Sequence, residues 1–228
     1  MELNTYPLVC TRGVVLYPNQ EIVIDVGRGA SVHAVENAQD NYDKKICLFS
    51  QKELEQENPG KEDIYPVGTL CEVRHIRRFD NFLRVKFRGI KRVKLNNWIN
   101  GSLSDLAEVE ILESEKQDAV EEEALIRMIA DELDRMQGQD RFVTKEIVME
   151  ISKGMGGEFL SDKAVQGLPL DIERKQQYLE TLGVNDRLMM LLQDMAKEKK
   201  MSEVEKQINE TVKERIDQGQ KDTIFVKR

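Results

Sequence analysis

The stretch 185-NDRLMMLLQDMAKEKKMSEVEKQINETVKERIDQ-218 reads as one long helix, too charged to lie wholly inside a globular core. At about 1.5 Å per residue it runs roughly 50 Å, more than the width of a compact domain of this size. Leu188, Met189, Leu191, Leu192 and Met195 recur at helical spacing and make a stripe wide enough to pack on neighbouring helices. Beyond Ala196 the apolar positions thin to Met201, Val204, Ile208, Val212 and Ile216, with Lys, Glu and Asp filling the gaps. So narrow a seam fits a single partner helix, in another subunit or a further domain. The competing reading is a solvated helix held by i,i+4 charge pairs.

Just before this strut, Leu168-Pro169-Leu170 sets up Asp171 as the N-cap of a helix through Ile172, Leu179 and Leu182, stopped by Gly183. Val184 ahead of the cap Asn185, with Met189 one turn in, then forms a hydrophobic staple. Further back, Val120, Leu125, Met128, Ile129, Leu133 and Met136 fit a helix ending near Gly138. Thr144 caps another through Ile147, Val148, Ile151 and Met155, ended by Gly154, Gly156 and Gly157, and a short third piece covers 159–165.

The first half has a different period. Ile22, Ile24 and Val26 alternate with polar neighbours, as do Leu83, Val85 and Phe87, and Ala107, Val109 and Ile111, which is the signature of half-buried strands. Residues 6–10, 14–16, 45–51 and 69–78 supply further strands, 31–41 a short helix through Val32, Val35 and Ala38, and 52–63 a polar loop. Phe79-Asp80-Asn81 joins two strands as a hairpin, and Gly89 allows a bend or bulge before a strand over 90–95. The sum is a mostly antiparallel sheet or partly closed barrel with one helix. Three parts follow: a β-rich unit at 1–113, a helical unit at 114–184 and a long helix or linker at 185–228.

At 228 residues with 40% hydrophobic and 33% charged content, the chain is long enough to bury real cores and is not disordered. A net charge of −8 argues against a dedicated DNA binder. Cys10, Cys47 and Cys71 lie in apolar runs without a C-x-x-C pair, so buried reduced thiols are expected rather than a zinc site or disulfides. No apolar run of signal-peptide or membrane-span length appears, and a cytoplasmic protein without membrane contact is the simplest expectation.

Reaction machinery is missing. The sequence contains no G-x-x-x-x-G-K-[ST] loop, G-x-S-x-G elbow or H-E-x-x-H pair, and the glycines at 154–157 read as a helix stop. His33 and His75 have no companions at metal-ligand spacing, so neither catalytic, cofactor nor metal residues are assigned. Two charge blocks stand out. Arg74, Arg77, Arg78, Arg84, Lys86, Arg88, Lys91, Arg92 and Lys94 make the hairpin basic, with Phe79 and Phe82 at its tip, whereas 105–123 is acidic. The basic hairpin at 74–94 is read either as the wet face of alternating strands or as an RNA-binding surface. Methionines concentrate in the helical half, among them Met128, Met149, Met189 and Met201; at helical spacing they read as core filling or as an adaptable apolar surface.

Tyr6-Pro7-Leu8, Arg12-Gly13-Val14-Val15-Leu16-Tyr17-Pro18, Asp25-Val26-Gly27-Arg28 and Ser31-Val32 resemble the opening of the Lon protease N-terminal domain. The resemblance continues in Asn58-Pro59-Gly60, 63-DIYPVGT-69, 85-VKFRGIKR-92, Leu168-Pro169-Leu170, Glu173-Arg174-Lys175-Gln176 and Leu179-Glu180. It departs at the hairpin tip 78–82 and in the tail 222–228. The resemblance implies an α+β fold: a PUA-like β pseudobarrel with one short helix, then a helical bundle ending in a long protruding helix. It further implies an ATP-dependent serine protease of ring-shaped, usually hexameric form, with ATP and Mg in a downstream module. The present chain would hold the substrate-recruiting part, without a catalytic residue to carry over. Unfolded or damaged polypeptides are the implied partners, with Tyr17, Phe79, Phe82 and Met201 as candidate contacts. A freestanding Lon-like adaptor and an RNA-binding module are the alternatives.

Overall fold

A computed structural model describes residues 3–136 and 145–225. The helix stop near Gly138 and the cap at Thr144 lie outside the described residues. Six strands, β1 (Leu3–Thr11), β2 (Glu21–Val26), β3 (Lys45–Ser50), β4 (Val67–Arg78), β5 (Leu83–Ile99) and β6 (Leu106–Leu112), form a mixed sheet. Their order is β2-β5-β4-β3-β1-β6, with a further pairing between β5 and β6. Among the six described strands β1 and β3 pair in parallel, and the other strand pairings are antiparallel.

The expected PUA-like pseudobarrel needs correction, because the sheet is not a closed barrel. One edge of β5 pairs with β4, while the other is divided between β2, along Leu83–Arg88, and β6, along Arg92–Ile99. β2 is therefore left with β5 as its one neighbour among the described residues, and a closed barrel would leave no such edge. β1 is divided in the same way, giving Leu3–Pro7 to β6 and Leu8–Thr11 to β3.

The bend or bulge expected at Gly89 is a bulge, and β5 runs through it as one strand of 17 residues. The register with β4 jumps from Leu70↔Lys91 to Cys71↔Gly89, so Ile90 is bulged. Glycine is required because a Cβ would sit 2.2 Å from the Tyr17 carbonyl oxygen. The Gly89 N–H donates to Gln20 O, and its oxygen accepts from Asn19 N, each at 2.9 Å. The segment 14–16, read as a strand, instead crosses as an irregular link.

Helix α1 (Gly29–Asn41) buries Ala34, Val35 and Ala38 against Val9, Ile46, Leu48 and Phe87 of the sheet. Helices α2 (Ala119–Met136), α3 (Lys145–Ser152), α4 (Gly157–Gly167), α5 (Ile172–Glu180) and α6 (Val184–Phe225) follow. Their core, built on Ile129, Leu160, Val165, Leu179, Leu188 and Leu191, also takes in Val15, Tyr17 and Val67 from the sheet half. Asp171 caps α5 as predicted, accepting from Arg174 N at 2.7 Å. At α6 the expected cap differs: the helix begins at Val184, and Gln117 Oε1 accepts from the N–H groups of Asn185 at 2.8 Å and Asp186 at 3.3 Å. Asn185 points its side chain to Asp118 O and Glu121 instead, and Met189 is 42% exposed, so no staple closes over it.

With 42 residues, α6 is roughly 60 Å long. Leu188, Leu191 and Met195 bury its root, whereas Met201, Val204, Ile208, Val212 and Ile216 are 43–56% exposed. Changing Val204 and Ile208 together to Ser is expected to alter stability at low protein concentration by about 0.5 kcal/mol or less. Thermal unfolding checks this; a loss of several degrees would show the far end of α6 packed on its own chain.

Candidate functional site

The β4–β5 hairpin turns through Phe79-Asp80-Asn81-Phe82, closed by Phe79 N–H donating to Phe82 O at 2.9 Å. None of these residues is the Asn-Gly or Asp-Gly that a two-residue hairpin favours, and the rings take over the work of the turn. Phe79 and Phe82 stack with centroids 4.7 Å apart at an interplanar angle of 13°. The Arg77 guanidinium lies 5.1 Å from the Phe79 centroid, and that of Arg84 lies 5.4 Å from Phe79 and 5.7 Å from Phe82. Both rings stay half-buried. The result is a rigid apolar tip with cationic sides, able to bind another aromatic or aliphatic side chain through dispersion and ring quadrupole.

The basic block is largely neutralised. Arg74 pairs with Glu72, Arg78 with Glu36, Arg84 with Asp25, Lys86 with Glu21 and Lys91 with Glu113. Hydrogen bonds from Arg84, Lys86 and Arg78 hold the Asp25, Glu21 and Glu36 carboxyls below their usual range. A phosphate backbone would have to compete with these carboxylates, which weakens the nucleic-acid reading.

Tyr17 is fully buried, and its hydroxyl donates to Lys175 O at 2.7 Å. It joins the sheet to α5 and offers no surface to a ligand in this conformation. Met201 lies on the exposed stretch of α6. Nearby on α6, Leu192, Ala196 and Lys199 face Met128 and Glu132 of α2 across an open groove of about 770 Å³. Met128, Met149, Met189 and Met201 are all 42–57% exposed, so part of the methionine set is surface, while Met195 fills the core.

Comparison with known proteins decides the family. Residues 5–197 match the family described as the ATP-dependent protease La (LON) substrate-binding domain. The chain belongs to this family. Lon protease of Syntrophomonas wolfei is 33% identical over 225 residues, covering 97% of this chain and 28% of the relative. Lon of Buchnera aphidicola subsp. Acyrthosiphon pisum is 30% identical, with 97% and 28% covered, and that of Escherichia coli K12 is 30% identical, with 95% and 28% covered. The chain thus spans a little over a quarter of the length of these relatives. Among solved structures, the N-terminal domain of Mycobacterium avium complex Lon protease superposes with a TM-score of 0.68 at 17% identity, covering 85% of this chain and 98% of that one. A Lon N-terminal domain protein from Xanthomonas campestris gives 0.58 at 17%, covering 83% and 97%. These two establish the likeness of fold, and the family match makes the chain the N-terminal, substrate-recognition domain of a Lon homologue.

One feature of this Lon domain was hidden from sequence reading. Arg92 of β5, counted above in the wet basic face, is 1% exposed and forks onto Asp162 of α4 with bonds of 3.0 and 2.5 Å, while its Nε donates to Leu179 O. Arg187 at the root of α6, also buried, lies 3.8 Å from Asp162 and donates to Ser161, Ser114 and the carbonyls of Thr181 and Leu182. Burial first, and then Arg92, pushes Arg187 down to about 10, still charged at neutral pH. Sheet, α4 and α6 therefore meet on a single carboxylate.

Proposed function

We propose that this Lon domain captures unfolded or damaged polypeptides by weak apolar contacts and hands them to the ATPase and protease parts of a Lon ring. The stacked Phe79–Phe82 tip carries the reading, since it presents rigid aromatic surface that costs little entropy to use. Met201 and the α2–α6 groove add further apolar area. In this reading residues 1–113 receive cargo, 114–184 fix the angle of the arm, and 185–228 lead toward the motor. Single contacts of this kind are weak, and several copies in a hexamer raise the effective concentration of binding sites.

Capture of a urea-denatured fluorescent client over its folded form, read by anisotropy, tests the proposal. Phe79→Ser with Phe82→Ser is expected to weaken capture by roughly tenfold or more, the loss of two aromatic anchors, with unchanged far-UV circular dichroism. Equal affinity for folded and denatured client would remove the proposal. Binding to RNA that falls steeply with salt would replace it with nucleic-acid recognition.

A further inference from the structure

The failure of the sheet to close leaves a cleft of about 360 Å³, with Val9–Arg12 of β1 and its exit on one side and Ile24–Arg28 of β2 and its exit on the other. A smaller cleft of about 220 Å³ shares Cys10, Arg28 and Ser31 with it and extends toward Trp98 and Asp105. Hydrogen-bond parity shows which backbone groups face this space. Thr11 O accepts from Gln51 N on the β3 side, so alternation turns the polar groups of Val9 and Thr11 toward β3 and those of Leu8 and Cys10 away from it. Leu8 N–H finds Asp105 O at 3.2 Å; beyond Pro7, no described strand pairs with β1 on that side. Across the cleft, Gln20 O accepts from Gly89 N. Ile22, Ile24 and Val26 therefore exchange bonds with β5, and Glu21, Val23 and Asp25 turn theirs to the open edge.

Two strand edges with unspent donors and acceptors are a template for a further strand. The charges at the cleft select among such strands. Arg12 and Arg28 hydrogen-bond to neutral acceptors, Gln56 O at 3.3 Å and Gln51 Oε1 at 2.6 Å. Partial burial, followed by the charge of Arg12, lowers Arg28, with Glu57 opposing as a smaller effect. Asp25 also lines the cleft but accepts from Nε and Nη2 of Arg84, each at 2.7 Å. The first turn of α1, which starts beside Arg28, contains no acidic residue. A carboxylate placed between the two guanidiniums would gain charge-assisted hydrogen bonds from both, against the smaller opposing charges of Glu57 and Asp105 at the rim.

We propose that an extended segment of captured polypeptide adds as a strand in the cleft between β1 and β2, with one of its acidic side chains held by Arg12 and Arg28. This deepens the capture reading and rests on it: the hairpin tip takes side chains, and the cleft takes main chain.

The probe is a fluorescein-labelled ten-residue peptide of alternating Ser, Thr and Val with one central Asp, titrated with the whole domain. Methylating alternate backbone nitrogens, or replacing the Asp by Lys, is expected to weaken binding roughly tenfold. Arg28→Gln and the more exposed Arg12→Gln are each expected to do the same for the Asp peptide and to change little for a version with Thr at that position. Bound peptide is also expected to shield Cys10, the one partly exposed cysteine, from alkylation read by mass spectrometry. Equal binding of the N-methylated peptide, or full affinity in Arg12→Gln at unchanged melting temperature, overturns the cleft. If denatured client still binds in that case and is lost with the Phe79 and Phe82 changes, capture stands without the cleft. If denatured client never binds, the capture reading itself has failed.

Discussion

Asp162→Ala is expected to destabilise the domain by about 3–5 kcal/mol, the range for removing one partner of a buried ion pair. For a chain of this length that is a fall in melting temperature on the order of 10 °C. The reason lies in what remains. Arg92 and Arg187, 1% and 0% exposed, would keep their charges with no carboxylate between them. Their remaining bonds go to neutral oxygens, and the hydroxyl of Ser114, which Arg187 reaches, is itself bonded to Glu158. A companion variant separates charge from packing. Arg92→Met, Asp162→Leu and Arg187→Met together remove all three charges and fill similar volume, so much of the loss should return. Recovery should stay incomplete, because the carbonyls of Leu179, Thr181 and Leu182 lose their donors. Differential scanning calorimetry on the two variants reads both effects; if Asp162→Ala unfolds within about 1 kcal/mol of the parent, water or a neighbouring acid already shields the arginines.

The same cluster shows where sequence reading reaches its limit. Alternation in Ile22, Ile24 and Val26 and in Leu83, Val85 and Phe87 found β2 and the first half of β5, since a period of two depends on one buried face alone. The spacing of Leu188, Leu191 and Met195, then of Val204, Ile208 and Val212, likewise found α6 and the point where its burial ends. Arg92 was misplaced because the bulge at Ile90 shifts the alternation by one: Arg92, opposite Thr69, lies on the face of Val85 and Phe87 rather than with Arg84, Lys86 and Arg88, and α4 and α5 meet it there. The divided edges of β1 and β5 were equally hidden: a strand's period is silent about which neighbours its two edges choose. Within the candidate site, Phe79 and Phe82 were visible as the wrong residues for a tight turn. The carboxylates that neutralise the hairpin were not, since Asp25, Glu21 and Glu36 come from β2 and α1, far back in the chain.

Tyr17→Ala is the second change with a large expected cost, again about 3–5 kcal/mol, the range for deleting a buried aromatic ring. The ring sits in the core cluster where Val15 and Val67 meet the helices, so the cavity would open between the sheet and α5. Burial, reinforced by Asp162, pushes the Tyr17 phenol well up, and its proton therefore stays on the oxygen that donates to Lys175 O. Tyr17→Phe keeps the ring and removes only that bond, for an expected loss of about 1 kcal/mol. Capture of denatured client measured on Tyr17→Phe distinguishes a joint from a contact. A joint changes melting temperature and leaves affinity alone at a temperature where the variant is folded. A contact would lower affinity at unchanged melting temperature, and only by swinging out of the core, which would require the sheet to part from α5 and carry Gln176, bound to Val67 O at 2.8 Å, away with it. Breaking those two bridges together should cost more than either alone, because each holds the other's geometry; the cost of such an opening is the physical ground for placing cargo on the hairpin tip rather than at Tyr17.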